Sequence, residues 1–393
     1  MVNWDLIFVV IFGLVLLLLM RIKKKNVEVQ KIFFPVLYFV LYKAQWGLKF
    51  MDRISKKAPK FWRFLEYVSI AVGFGGMIFI MGFLVKGIYD FLFLKQPSPI
   101  NLLLPGVEIA PGIPTMTFLY WIIVIFILAT VHEMSHGIFA RLNKIKLKSS
   151  GFAIIAILLP ILPAAFVEPD EKQLERAKTK TKLSVLSAGS FANFITAAFS
   201  LLILVFILTP ITASTITGSG VLVTGFDENF SISESGMVPG EKILTVNDET
   251  IGDVYVFVEK ISEKQPGENL NIITDKGSYE IKLDENPKNS SVGYLGIQIS
   301  QASNRGLSKI VQWIGRLFYW LLLANLGVGL FNLLPMGPLD GGRMLNVLLF
   351  SWTRNEKKAH KIFLAITYLF LALVIIGLSS QIMGFFKLIV NLF

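Results

Sequence analysis

The sequence predicts a multi-spanning α-helical membrane protein carrying a separate, mostly β domain inserted on the extracytoplasmic side. Three observations predict it. Of the 393 residues 54% are hydrophobic and the mean hydropathy is +0.63, an average that soluble domains do not hold over such a length. Several windows of about 20 apolar residues are long enough to cross a bilayer. Charge is also unevenly placed: residues 214–302 hold 14 acidic and 6 basic residues, a balance of −8, so a chain of net charge +11 stands at +19 elsewhere. The basic residues flank apolar spans, which makes them topology signals beside a lipid bilayer rather than a nucleic-acid footprint. No cysteine is present, which excludes disulfides and thiolate metal sites and leaves any metal to His, Asp or Glu.

The elements follow in order. In "MVNWDLIFVVIFGLVLLLLM" (1–20) Asp5 precedes the apolar run, "RIKKK" (21–25) follows it, and no small-residue cleavage site appears. A retained first helix with its N-terminus outside the cytoplasm is expected. Residues 21–63 hold 12 Lys or Arg against Glu28 and Asp52. The run "IFFPVLYFVLY" (32–42) inside them is short and holds Pro35, so it is read as a cytoplasmic interfacial segment. Residues 66–86 cross outward, 95–114 form a Pro- and Gly-rich outer loop, and 117–140 cross inward to the basic "ARLNKIKLK" (140–148). The apolar stretch 151–170 is broken by Pro160 and Pro163 and fits a re-entrant hairpin or buried loop better than a span. Residues 183–209 cross outward, 308–335 inward and 362–378 outward, with "TRNEKKAHK" (353–361) cytoplasmic. Every basic loop then falls on one side. Four regions result: an N-terminal membrane region (1–115), two parts of a membrane core (116–212 and 304–393), and the insert (213–303).

"VHEMSH" (131–136) brings ligand-type residues into one of these spans. His132 and His136 are four apart and share one helix face. Two neutral imidazoles at that spacing suit one Zn²⁺, and Glu133 is placed to reach water beside it. The five-residue pattern alone is weak, but ionisable groups in a lipid-spanning segment are costly and suggest function. The chain has three histidines; the third, His360, lies in a charged cytoplasmic loop and reads as solvated. A catalytic zinc wants three protein ligands. Asp340, in "PLDGG" at the end of an inward span and between Pro338 and Gly341, is the candidate third ligand; the competing reading is a helix cap.

"HEMSH" on an apolar helix followed by "NLLPMGPLDGG" on a later one resembles the site-two proteases, zinc metalloproteases that cleave within the membrane. The resemblance covers about 117–209 and 308–345. It implies one Zn²⁺ per chain on His132, His136 and Asp340, Glu133 as the catalytic residue, and transmembrane segments of other membrane proteins as substrates, cut in the cytoplasmic half of the cell membrane. "SAGSFANF" (187–194) resembles the family's Ala-Gly-Pro-x-x-Asn element and points to Asn193 as substrate-binding or transition-state support, against the alternative of an interhelical hydrogen bond. Ser190 replaces the usual proline there, and Ser135 stands where many members have glycine.

In the insert, "GVLVTGF" (220–226), "EKILTVN" (241–247), "NLNIITD" (269–275) and "SYEIKL" (278–283) read as short strands separated by turn residues. "SISESGMVPGEKILTVNDETI" resembles the heart of a PDZ domain, with Glu241 where aspartate is commoner. "GYLGIQI" (293–299) resembles its carboxylate-binding loop and adjoining strand. Tyr294, Leu295, Gly296 and Ile297 are the implied peptide-binding loop, against a domain that only blocks access. Two other function classes are weighed: a catalytically silent PDZ-bearing scaffold, and a metal transporter, which would need ligand groups on several spans forming a through-path.

Overall fold

The computed structural model describes residues 5, 7–14, 27–33, 37–43, 45–107, 109, 113, 115–157, 159–216, 220–227, 230–287, 289–302 and 305–390. Among these, five helices are long and apolar enough to cross a membrane: Pro59–Phe93, Phe118–Leu142, Thr179–Thr212, Lys309–Phe331 and Glu356–Met383. The protein is thus a multi-pass helical membrane protein. Residues 7–14 are helical; the rest of the expected first span lies outside the described residues. The chain divides into two compact units, residues 1–200 with 319–393, and residues 201–318.

In the first unit, the two segments that the apolar count left ambiguous are strands. β1 (Val27–Phe33), β2 (Leu37–Lys43), β3 (Leu147–Ile157) and β4 (Leu159–Pro169) form an antiparallel sheet in the order β1-β2-β3-β4. Residues 34–36, in the middle of the expected interfacial run, are outside the described residues. Pairing satisfies a backbone that Pro160 and Pro163 bar from helix. Both prolines fall on β4, an edge strand, where a missing N–H costs least, and the register slips between Ile155 and Ala156 opposite Pro160. At Gly151 a Cβ would collide with the Tyr42 carbonyl, so β2 and β3 close up only around glycine.

Helix α1 (Gln45–Lys57) follows the first hairpin. α2 (Pro59–Phe93) starts with proline at its first turn, where a missing N–H is harmless. α3 (Phe118–Leu142) carries the His-Glu-His motif. The short α4 (Glu171–Arg176) is capped by Asp170, which accepts from the Gln173 amide at 3.1 Å. α5 (Thr179–Ile203) continues through a π-turn, Leu204–Leu208. α7 (Arg305–Phe331), α8 (Asp340–Thr353) and α9 (Glu356–Val390) close the chain.

The insert is a β-rich fold. Its main sheet runs β12-β5-β6-β8-β9, from Ile297–Gln301, Val221–Phe226, Lys242–Val246, Asn269–Thr274 and Ser278–Lys282, with β7 (Glu249–Thr250) on β6. All four expected strand runs are strands. The hairpin β10 (Asp284–Asn286) and β11 (Asn289–Tyr294) and the helix α6 (Val254–Ser262) complete it. Alternate strand residues, among them Val221, Val223, Leu270, Ile272 and Ile281, close a core around Phe257. Glu241 is buried under the sheet. Burial pushes its carboxyl up, but the Thr274 hydroxyl at 2.6 Å, the Val238 amide at 3.0 Å and the Tyr279 hydroxyl at 3.0 Å all donate to it and hold it below the usual carboxylate range. The longer glutamate suits this position because it reaches three donors at once.

Candidate metal centre

Three elements bring the site together. α3 presents His132 and His136 one turn apart. α8 begins at Asp340, and its N-cap Leu339 supplies no side-chain bond, so the aspartate is not engaged as a cap. Gly341 and Gly342 let this turn close: a Cβ on Gly341 would strike the Leu333 backbone, and one on Gly342 the Met336 backbone. His132 Nε2 lies 3.1 Å from His136 Nε2, and each lies 3.2 Å from Asp340 Oδ2. A tetrahedral ion with bonds of about 2.0–2.1 Å sets its ligand atoms about 3.3 Å apart, so this triangle has the size of one face of such a shell.

The donor chemistry points the same way. His136 Nδ1 is 2.6 Å from the Val185 carbonyl; a carbonyl only accepts, so Nδ1 carries a proton, and in the neutral ring Nε2 keeps a lone pair. The Asn193 amide is 3.2 Å from His132 Nδ1, while its Oδ1 has no partner. Turning the amide by half a turn satisfies both: Nδ1–H donates to Oδ1, and the second Nε2 is a lone pair as well. Asp340 Oδ2 is buried and also lacks a hydrogen-bond partner. With both rings neutral, three acceptors converge on one point, a donor set that fits a cation. The space for it is kept by Gly189 on α5, where a Cβ would stand 2.5 Å from His132 Nε2 and against His136 Nε2.

Glu133 points beside this cluster. Its Oε2 accepts from the Val167 amide on β4 at 3.0 Å. The four residues line one cavity of about 600 Å³, whose other walls include Ala164–Pro169 of β4, Lys43 and Arg343. His360 is exposed and lies at a different cavity, beside Lys357. Ser135, in place of glycine, donates to the Val131 carbonyl of its own helix at 2.8 Å. The Ser190 hydroxyl is buried without a partner among the described residues. Sequence reasoning singled out neither Val185, Gly189 nor Val167: two act through backbone atoms and one through a missing side chain, none of which a residue type announces. Gly189 alone left a trace, inside "SAGSFANF".

In the insert, Tyr294–Ile297 connect β11 to β12, with Gly296 at φ +69°, where glycine is favoured. Leu295, Gly296 and Ile297 share a groove of about 190 Å³ with Phe257, Val258 and Ile261 of α6. β12 is the edge of its sheet.

The profile of "Peptidase family M50" matches residues 120–374. An uncharacterized protein of Methanocaldococcus jannaschii is 30% identical over 319 residues, 78% of this chain and 77% of the relative. Among solved structures, the PDZ domain of an SdrC-like protein from Listeria monocytogenes is similar to 21% of this chain at 20% identity, with 90% of that domain covered and a TM-score of 0.20.

Proposed function

The chain belongs to peptidase family M50, and from that membership we propose that it is a zinc-dependent protease cutting within the transmembrane segments of other membrane proteins. The observation that carries the reading is the meeting of His132, His136 and Asp340 beside Glu133 in one cavity. The first three would hold one Zn²⁺ per chain. Bound there, zinc supplies a Lewis acid that lowers the pKa of water and polarises the scissile carbonyl. Glu133 takes the proton of the attacking water and hands it to the leaving amine, and the Val167 amide keeps its carboxylate turned to the cavity. Asn193 and the Val185 carbonyl keep both imidazoles in the tautomer a metal needs.

A helical substrate hides its amides, so it must unwind before it is cut. The free edge of β4 is the proposed seat for the unwound strand. Val167 directs its amide away from β3, so Ala165, two residues earlier, does the same. By the positive-inside rule residues 21–63 are cytoplasmic, the site opens to the cytoplasm and the insert is extracytoplasmic. The insert performs no chemistry: it holds no histidine. It screens substrates, with the groove at Tyr294–Ile297 as the place where an extended peptide would add to β12. A silent scaffold has no use for the full His, His, Asp and Glu set, and a transporter would distribute its ligands along a path rather than in one cluster.

The test is incubation of purified protein in detergent with a model transmembrane substrate, with and without a zinc chelator. Cleavage should stop on chelation, return with zinc, and be absent in Glu133→Gln. Cleavage that survives both chelation and Glu133→Gln would overturn the reading.

A further inference from the structure

A second polar cluster lies on the far side of α5 from the metal ligands, and the chemistry above leaves it without a role. Glu66 on α2 is 2% exposed. Its carboxylate accepts from Lys180 Nζ at 2.9 Å, from the Ser184 hydroxyl at 3.4 Å and from the Asn143 amide. Asn143 also accepts from the Thr181 hydroxyl at 3.1 Å. One turn further along α2, Ser69 and Ser187 are hydrogen-bonded at 3.0 Å. At the next turn Gly73 faces Ser187, and a Cβ there would stand 2.9 Å from the serine Cβ. The seam therefore joins the start of α2, the residue that ends α3, and the first turns of α5.

α5 turns a different face to the site. Val185, Gly189 and Asn193 recur every four residues and address His136, the metal space and His132. Lys180, Ser184 and Ser187 lie on the opposite side of the same helix. A rotation or axial slip of α5 would move all three site contacts together. Apolar packing resists such a slip weakly in lipid, where one apolar face resembles another, while a buried carboxylate with three donors fixes one register.

We infer that Glu66 is a positioning residue: by holding α5 against α2 and the end of α3, it sets the register at which Val185, Gly189 and Asn193 shape the His132–His136 metal site. The inference rests on the reading of that site as a zinc site, and its readouts do not require cleavage.

The variants are Glu66→Gln, which keeps the shape and loses the charge, and Glu66→Ala. Ile78→Ala, at a 72% exposed position of the same helix, is the control. Zinc affinity by chelator competition should fall by about 10–100-fold in Glu66→Ala, the range typical of supports behind metal ligands, less in Glu66→Gln, and not in the control. The visible absorption bands of the cobalt-loaded protein should change in both Glu66 variants, which a mere loss of fold stability would not produce in protein that stays folded. Should Glu66→Ala not fold, Glu66→Gln carries the test. A further readout needs no metal: in a chain without native cysteine, the pair Ser69→Cys and Ser187→Cys should cross-link more slowly when Glu66→Gln is added. Unchanged zinc affinity and an unchanged cobalt spectrum in Glu66→Gln, or an unchanged cross-linking rate, would overturn the inference. A parent protein that binds zinc with Glu66-dependent affinity but cleaves no transmembrane substrate would defeat the protease reading and leave the inference standing.

Discussion

Glu133 and Asp340 lie in the same cavity, and the duties proposed for them are separable by single substitutions. A general base is not needed to hold a metal, whereas a third ligand is. Glu133→Gln should keep its zinc and lose turnover by about 10²–10⁴-fold. Asp340→Ala should lose zinc and activity together, because two imidazoles do not complete a catalytic site. Zinc content per chain by atomic emission, measured beside cleavage rate, reads both. Gly189 gives a sharper test, since only its lack of a side chain matters. Gly189→Ala adds one methyl group against both Nε2 atoms. Helix propensity favours alanine, by about 1 kcal/mol, so the fold should survive while zinc occupancy collapses. Normal zinc content in Gly189→Ala would mean that the metal sits elsewhere.

Among the elements, β4 is the one whose proposed role depends on an unpaired edge. It pairs with β3 along one side and turns its other side toward Glu133. Ala165→Pro deletes an outward N–H and leaves the β3 ladder intact, because Ala165 sits opposite Phe152 in a pair whose hydrogen bonds do not point inward. One lost bond to a docked strand is about 1 kcal/mol, so kcat/KM for a transmembrane substrate should drop roughly five-fold with zinc content unchanged. A variant with full activity would remove the β4 edge as the substrate's seat. This sheet was only half legible beforehand. Pro160 and Pro163 announced that residues 151–170 could not span as a helix, but both halves of the segment are apolar on alternating and non-alternating positions alike. Without a period of two, the sequence carried no strand signal.

At the scale of the whole molecule the charge asymmetry makes a topological claim. The chain lacks cysteine, so a single introduced thiol reports without background. In intact cells a membrane-impermeant thiol reagent should label Lys276→Cys and spare Lys57→Cys, both at exposed positions; the opposite pattern would invert the proposed orientation. The insert has its own core, which makes it separable. Replacing residues 216–301 by a short flexible linker should leave cleavage of a small model substrate largely intact and relax the choice among larger ones. A folded, zinc-loaded deletion protein without any activity would show that the insert does more than screen.

Composition and period settled what each segment could be by itself. Runs of about 20 apolar residues free of proline had to be membrane helices, the acidic alternating runs had to be strands in water, and an i, i+4 histidine pair on an apolar helix had to share a face. Those are local constraints, and local sequence carries them. The tertiary structure alone decided which atoms meet: that Asp340 reaches across 204 positions to His136, that the Val185 carbonyl and the Asn193 amide set the imidazoles, that Gly189 leaves room between them, and that Glu66 closes a polar seam behind α5. Each of these depends on the register of one helix against another. In lipid, apolar faces are nearly interchangeable, so the register is fixed by a few buried polar contacts between residues far apart in the chain.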